Sequence, residues 1–126
     1  MKLLVGDDEP EVASVLIDYL SARGHAVFGI TGGADVTSRV QKHNCDLLLL
    51  DVSLPDVNGL NKISEVLSRS PKTKVIVMSG LHREAWAETA LRNGAFDCIE
   101  KPIELDKLQR LVDQIAAMTK TTPKFP

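Results

Sequence analysis

Asp46-Leu47-Leu48-Leu49-Leu50-Asp51 is the stretch that decides the fold. Its leucines form a short, unbroken apolar run with an aspartate at each end. That pattern marks a strand buried on both faces. Leucine is not a strong strand former, so the brevity and the bracketing acids carry the assignment, not propensity.

The same pattern recurs on either side. Leu3-Leu4-Val5 reads as a first buried strand, followed by Gly6-Asp7-Asp8-Glu9-Pro10. Pro10 suits the first turn of a helix, and Val12, Val15, Leu16, Tyr19 and Leu20 recur at helical spacing up to a stop at Gly24. Ala26 to Ile30 is a second strand, broken by Gly32-Gly33. A weaker helix runs from about Ala34 to His43, with Val36 and Val40 on one side. Beyond Asp51, Pro55 to Gly59 is a loop. Leu60, Ile63, Val66 and Leu67 mark a third helix that ends at Ser70-Pro71. Val75 to Met78 is the fourth strand. A fourth helix carries Trp86, Ala87, Ala90 and Leu91 and stops at Gly94. Asp97 to Glu100 is the fifth strand, and Leu105, Leu108, Leu111, Val112 and Ile115 lie on the last helix.

Strand and helix thus alternate five times. Apolar strands alternating with helices imply an α/β fold whose parallel sheet is covered on both faces. With right-handed crossovers, the expected architecture is a doubly wound five-stranded sheet, (βα)5 and flavodoxin-like, in the order 2-1-3-4-5. We expect one domain over residues 1–118. The polar, proline-containing residues 119–126 read as a linker or frayed tail.

Composition excludes several classes of function. A net charge of −2 provides no basic field for nucleic acid. The two cysteines, Cys45 and Cys98, form no CxxC or Cys/His cluster, which argues against zinc and against a disulfide framework. No stretch is long and apolar enough for a signal peptide or membrane span. The expected location is the cytoplasm.

In sheets of this type ligands bind outside the carboxyl ends of the strands, near the switch in strand order. Strand one ends at Asp7-Asp8, strand three at Asp51, strand four at Ser79-Gly80 and strand five at Lys101-Pro102. Clustered carboxylates repel one another and invite a hard divalent cation. Mg²⁺ suits them because it takes few carboxylates and keeps waters that a phosphate can replace. A lysine opposite can neutralise a phosphoryl oxygen, and a serine hydroxyl can donate to another. Such parts make a phosphoryl-transfer site in which Asp51 can serve as nucleophile and form an aspartyl phosphate. Taken singly, each residue has an ordinary reading: Asp7 and Asp8 as helix-start acids, Ser79 as a turn serine, Lys101 as a solvated lysine. Their joint placement carries the site.

These residues resemble a receiver domain of a two-component response regulator. The match rests on Gly6-Asp7-Asp8-Glu9-Pro10, on Asp51 with Pro55 and Gly59, on Ser79-Gly80 and on Lys101-Pro102, and it spans roughly residues 2–118. The resemblance implies a phosphorylation-dependent signalling switch, not a metabolic enzyme. Asp51 would accept phosphate from a histidine kinase or phosphotransfer protein. Asp8, Asp51 and the backbone carbonyl of Ser53 would hold Mg²⁺, with Asp7 acting through a metal-bound water. Lys101, on a cis bond to Pro102, would pair with Asp51 and then with the phosphoryl group. Ser79 would swing towards the phosphate, and the face formed by helix four, strand five and helix five would meet partners or a second copy.

Two positions depart from that pattern, and the lesser is Asn58, which precedes Gly59 where the family often has aspartate. Cys98 stands where receivers usually carry an aromatic residue that turns inward on activation, so the aromatic half of the switch is missing. Phe96 is expected to share the face of Cys98 if both lie on the strand. Cys45 and Cys98 read as packing residues. Trp86 reads as packing or as a partner anchor. Two alternative functions compete: a phosphorylation-independent interaction module, and a phosphatase of the haloacid dehalogenase type. The latter needs a second aspartate where this chain has Ser53.

Overall fold

The structure is a computed structural model that describes residues 1–31, 35–52, 59–80 and 86–120, with 59 and 120 described by their backbone alone. Five strands form one parallel sheet: β1 (Lys2–Gly6), β2 (Ala26–Ile30), β3 (Leu47–Asp51), β4 (Lys74–Ser79) and β5 (Asp97–Glu100). The helices between and after them are α1 (Pro10–Ser21), α2 (Val36–His43), α3 (Gly59–Arg69), α4 (Ala87–Arg92) and α5 (Leu105–Lys120). The sheet order is β2-β1-β3-β4-β5, as the alternation of elements implies. The chain turns back between β1 and β3, so their carboxyl ends border the switch in strand order.

The leucine run explains how this sheet is buried. Side chains alternate across a strand, and here both sides are apolar. Leu48 and Leu50 join Leu4, Val75, Val77 and Cys98 in a core beneath α2, α3 and α4. Leu47 and Leu49 join Leu3, Val5, Ile76, Met78 and Ile99 in a second core beneath α1 and α5. All four leucines are fully buried. A strand lying between two layers of helix has no reason to alternate in polarity.

Three expectations change at the margins. Helix α5 continues through Thr119 and Lys120, two residues past the boundary drawn at 118. Trp86 is not on α4 but immediately precedes it, in the N-cap position. Phe96 does not share the face of Cys98: it packs against the α1/α5 core, whereas Cys98 lies in the other. Phe96 precedes the first residue of β5, so the pleat does not dictate its direction. The expected break at Gly32-Gly33 and the loop from Pro55 to Asn58 lie outside the described residues.

Candidate functional site

The site is assembled at the carboxyl ends of β1, β3, β4 and β5. Asp7 follows β1, and its backbone N–H donates to the Ile30 carbonyl at 3.2 Å. Its two carboxylate oxygens have different surroundings. Oδ1 accepts the Glu9 N–H at 2.9 Å, a local turn that leads into α1. Oδ2 is buried, accepts no hydrogen bond, and has the Lys101 ammonium 2.9 Å away, off the hydrogen-bonding direction. Glu9 is the N-cap of α1 but makes no side-chain capping bond, and Pro10 occupies the first turn. The helix-start reading of Asp7 therefore accounts for one oxygen and leaves the other aimed at the site.

Asp51 is the last residue of β3 and is 1% exposed. Lys101 directly follows β5; its backbone N–H donates to the Ser79 carbonyl at 2.7 Å, and the Lys101–Pro102 bond is cis. The Lys101 ammonium donates to Asp51 Oδ2 at 3.0 Å and to Glu9 Oε1 at 2.9 Å. Ser79 ends β4, is fully buried, and is in register with Glu100 of β5.

Carboxylate oxygens of Asp7, Asp8, Glu9 and Asp51 lie within 4.8 Å of one another. Four acids facing one lysine leave excess negative charge. Burial raises the carboxyl pKa of Asp7 above 3.8, and neighbouring Asp51 adds to this, although the Glu9 N–H and Lys101 pull it down. Asp8 is raised as well, first by its partial burial and then by Asp51 beside it. For Lys101, burial acts to lower the ammonium pKa, but the surrounding carboxylates of Asp7, Glu9 and Asp51 outweigh it and hold the group well above 10.5. An all-oxygen, acid-rich donor set, with one buried carboxylate oxygen that accepts no hydrogen bond, fits a hard cation such as Mg²⁺.

A model of the response regulator receiver domain family matches residues 3–113. The chain belongs to that family. It is 26% identical to the chemotaxis protein CheY of Thermotoga maritima, over 91% of this chain and 97% of that protein. It is 35% identical to the DNA-binding transcriptional regulator NtrC of Azospirillum brasilense, over 96% of this chain but only 25% of the relative. Among solved structures, the receiver domain of the TMAO respiratory regulator TorR superposes with a TM-score of 0.85 at 30% identity, covering 93% of this chain and 97% of that one. This receiver domain thus spans nearly all of one relative and about a quarter of another. The family is that of two-component signalling, and receiver domains interact with histidine kinases or phosphotransfer proteins.

The structure brings Asp7, Asp8, Asp51 and Lys101 together and sets Ser79 on the neighbouring strand end. Ser53 lies outside the described residues. Cys98 and Trp86 sit apart from the carboxylates, in the core beneath α4. Cys98 is fully buried, with its Sγ 3.9 Å from the Ala87 carbonyl. Trp86 is 4% exposed, so packing accounts for it, and its ring is not presented to a partner in this conformation. Glu9 is the residue whose contact the sequence did not disclose. It stands inside the Asp7-Asp8-Glu9-Pro10 motif, yet the sequence signal was only its place beside two acids.

Proposed function

We propose that this receiver domain is a phosphorylation-dependent switch in which Asp51 is the phosphoacceptor. The observation that carries this reading is the Asp51 carboxylate: buried, 3.0 Å from the Lys101 ammonium, and inside a cluster of acids. A carboxylate oxygen of Asp51 attacks phosphorus in a phosphohistidine. The new P–O bond forms as the P–N bond breaks, and the imidazole leaves, taking up a proton. Asp8, Asp51 and the Ser53 carbonyl would hold Mg²⁺, with Asp7 acting through a bound water. The ion supplies charge neutralisation on the phosphoryl oxygens. Lys101 neutralises another phosphoryl oxygen, and the Ser79 hydroxyl donates to a third. The domain thus assists its own phosphorylation and dephosphorylation without turning over a metabolite.

A groove of about 590 Å³ beside Lys101 supports a phosphohistidine donor. Val12, Val15 and Leu16 of α1 line one side and Ile103 and Leu105 the other, a surface suited to the helix of a histidine kinase or phosphotransfer protein. Partner binding or dimerisation is assigned to the α4–β5–α5 face, whose two helices carry the exposed apolar side chains Leu91 and Met118. Among the described residues no helix is long and apolar enough to cross a membrane, in keeping with work in the cytoplasm.

Incubation with Mg²⁺ and acetyl phosphate, followed by intact mass measurement, tests the reading. A single phosphoryl adduct on the wild type and none on Asp51→Asn is expected. An equal adduct on Asp51→Asn overturns it. A beryllofluoride titration controls for a labile adduct.

A further inference from the structure

We propose that Glu9 is a positioning residue that occupies the place on Lys101 that a phosphoryl oxygen will take. The inference rests on Asp51 being the phosphoacceptor and goes beyond it. A lysine ammonium has three N–H donors. Here three carboxylates surround it: Asp7 Oδ2 at 2.9 Å, Glu9 Oε1 at 2.9 Å and Asp51 Oδ2 at 3.0 Å. Lys101 donates to Glu9 and Asp51, with Asp7 Oδ2 alongside but off the donor direction. Once Asp51 bears a phosphoryl group, the ammonium must shift its donors towards the new oxygens, and the acids around it must yield to that shift.

The three acids are not equally free to do so. The Asp7 side chain is 0% exposed, and its other oxygen is fixed by the Glu9 N–H. Asp51 is 1% exposed and is itself the group being modified. Glu9 is 59% exposed, and its side chain plays no part in capping α1. Water can solvate Glu9 when it lets go, whereas it cannot reach Asp7. Glu9 therefore holds Lys101 ready in the resting site and competes with the incoming anion for it.

The test compares wild type with Glu9→Gln by titrating beryllofluoride, an anionic phosphoryl mimic, at saturating Mg²⁺, and by titrating Mg²⁺ alone. Glu11→Gln serves as the charge control, since Glu11 lies exposed in the first turn of α1. Glu9→Gln is expected to bind beryllofluoride about two- to five-fold more tightly, the range for losing one half-exposed ion pair. Its Mg²⁺ affinity should fall by no more than about two-fold, as loss of one nearby charge predicts. Glu11→Gln should leave beryllofluoride affinity within about two-fold of wild type. Unchanged or weaker beryllofluoride binding by Glu9→Gln overturns the inference. So does an equal gain in Glu11→Gln, which would make the effect one of bulk charge. A Mg²⁺ affinity reduced ten-fold or more in Glu9→Gln overturns it too, by making Glu9 a metal ligand. If wild type binds no beryllofluoride with Mg²⁺, the phosphoacceptor reading falls, and this inference falls with it.

Discussion

Lys101 Nζ lies 3.0 Å from Asp51 Oδ2, although fifty positions separate the two residues in the chain. The sheet creates that contact, because β3 and β5 flank β4 and end on the same edge. Lys101→Met keeps the apolar stem and removes the charge. Asp7 and Asp51, both nearly inaccessible to water, then lose their cation. We expect a loss of about 2–4 kcal/mol in urea denaturation at neutral pH without Mg²⁺. Saturating Mg²⁺ should recover much of it by supplying another positive charge. An equal loss with and without Mg²⁺ would show that the lysine's packing, not its charge, is what matters.

Asp8 should cost the metal-free protein stability. Its carboxyl pKa is raised by partial burial and by Asp51, so its ionised form is disfavoured in the fold. Asp8→Asn removes that repulsion. Because Asp8 is exposed, screening reduces the gain. An increase of about 2–5 °C in Tm without metal is expected. In millimolar Mg²⁺ the order should reverse, since only the wild type is stabilised by binding the ion. Differential scanning calorimetry in chelator and in Mg²⁺ reads both.

The raised acids also set a pH dependence. Folded Asp7 and Asp8 bind protons more tightly than the unfolded chain does. Between 3.8 and their raised values the native state therefore holds more protons, and their contribution to stability grows as pH falls and is lost as pH rises. The raised Lys101 acts in a different window: its contribution is complete below 10.5 and is lost as pH rises from there through its higher folded value. Protons compete with Mg²⁺ for the same oxygens, so Mg²⁺ affinity should begin to fall on acidification while still above the ordinary carboxylate range. Mg²⁺ titrations from pH 8 to pH 4 test this. Affinity that stays flat down to pH 4 would contradict it.

Much of this was legible because it depends on local pattern. The leucine run between Asp46 and Asp51 identifies a strand covered on both sides, and once one such strand is placed, the alternation of elements limits the topology. Asp7, Asp8, Asp51 and Lys101 were legible because strand ends share an edge in a parallel sheet. What remained hidden depends on side-chain direction. Glu9 reaches Lys101 across 92 positions, and nothing in its neighbourhood forecasts which way it turns. Phe96 sits one residue before its strand, where alternation does not apply. Trp86 is as suited to a surface as to a core by its sequence alone; the fold buries it in a core that also holds the small residues Ala87, Ala90 and Cys98.

Those small residues bear on the missing aromatic. Cys98 is fully buried and Trp86 is 4% exposed, within one core that also holds Ala87 and Ala90. Cys98 Sγ lies 3.9 Å from the carbonyl of Ala87, the residue after Trp86, so a tyrosine at position 98 is expected to compete with the indole for space in that core. Cys98→Tyr alone should cost about 1–3 kcal/mol through overpacking. Trp86→Ala alone should cost about 3–5 kcal/mol through the cavity it leaves. In the double variant the new ring can use the vacated space, so the combined cost should be smaller than the two added together, by about 1 kcal/mol or more. Urea denaturation of the four proteins gives the coupling directly. Additive costs would mean that the two side chains fill separate volumes, and that Trp86 does not explain why a residue as small as cysteine stands at position 98.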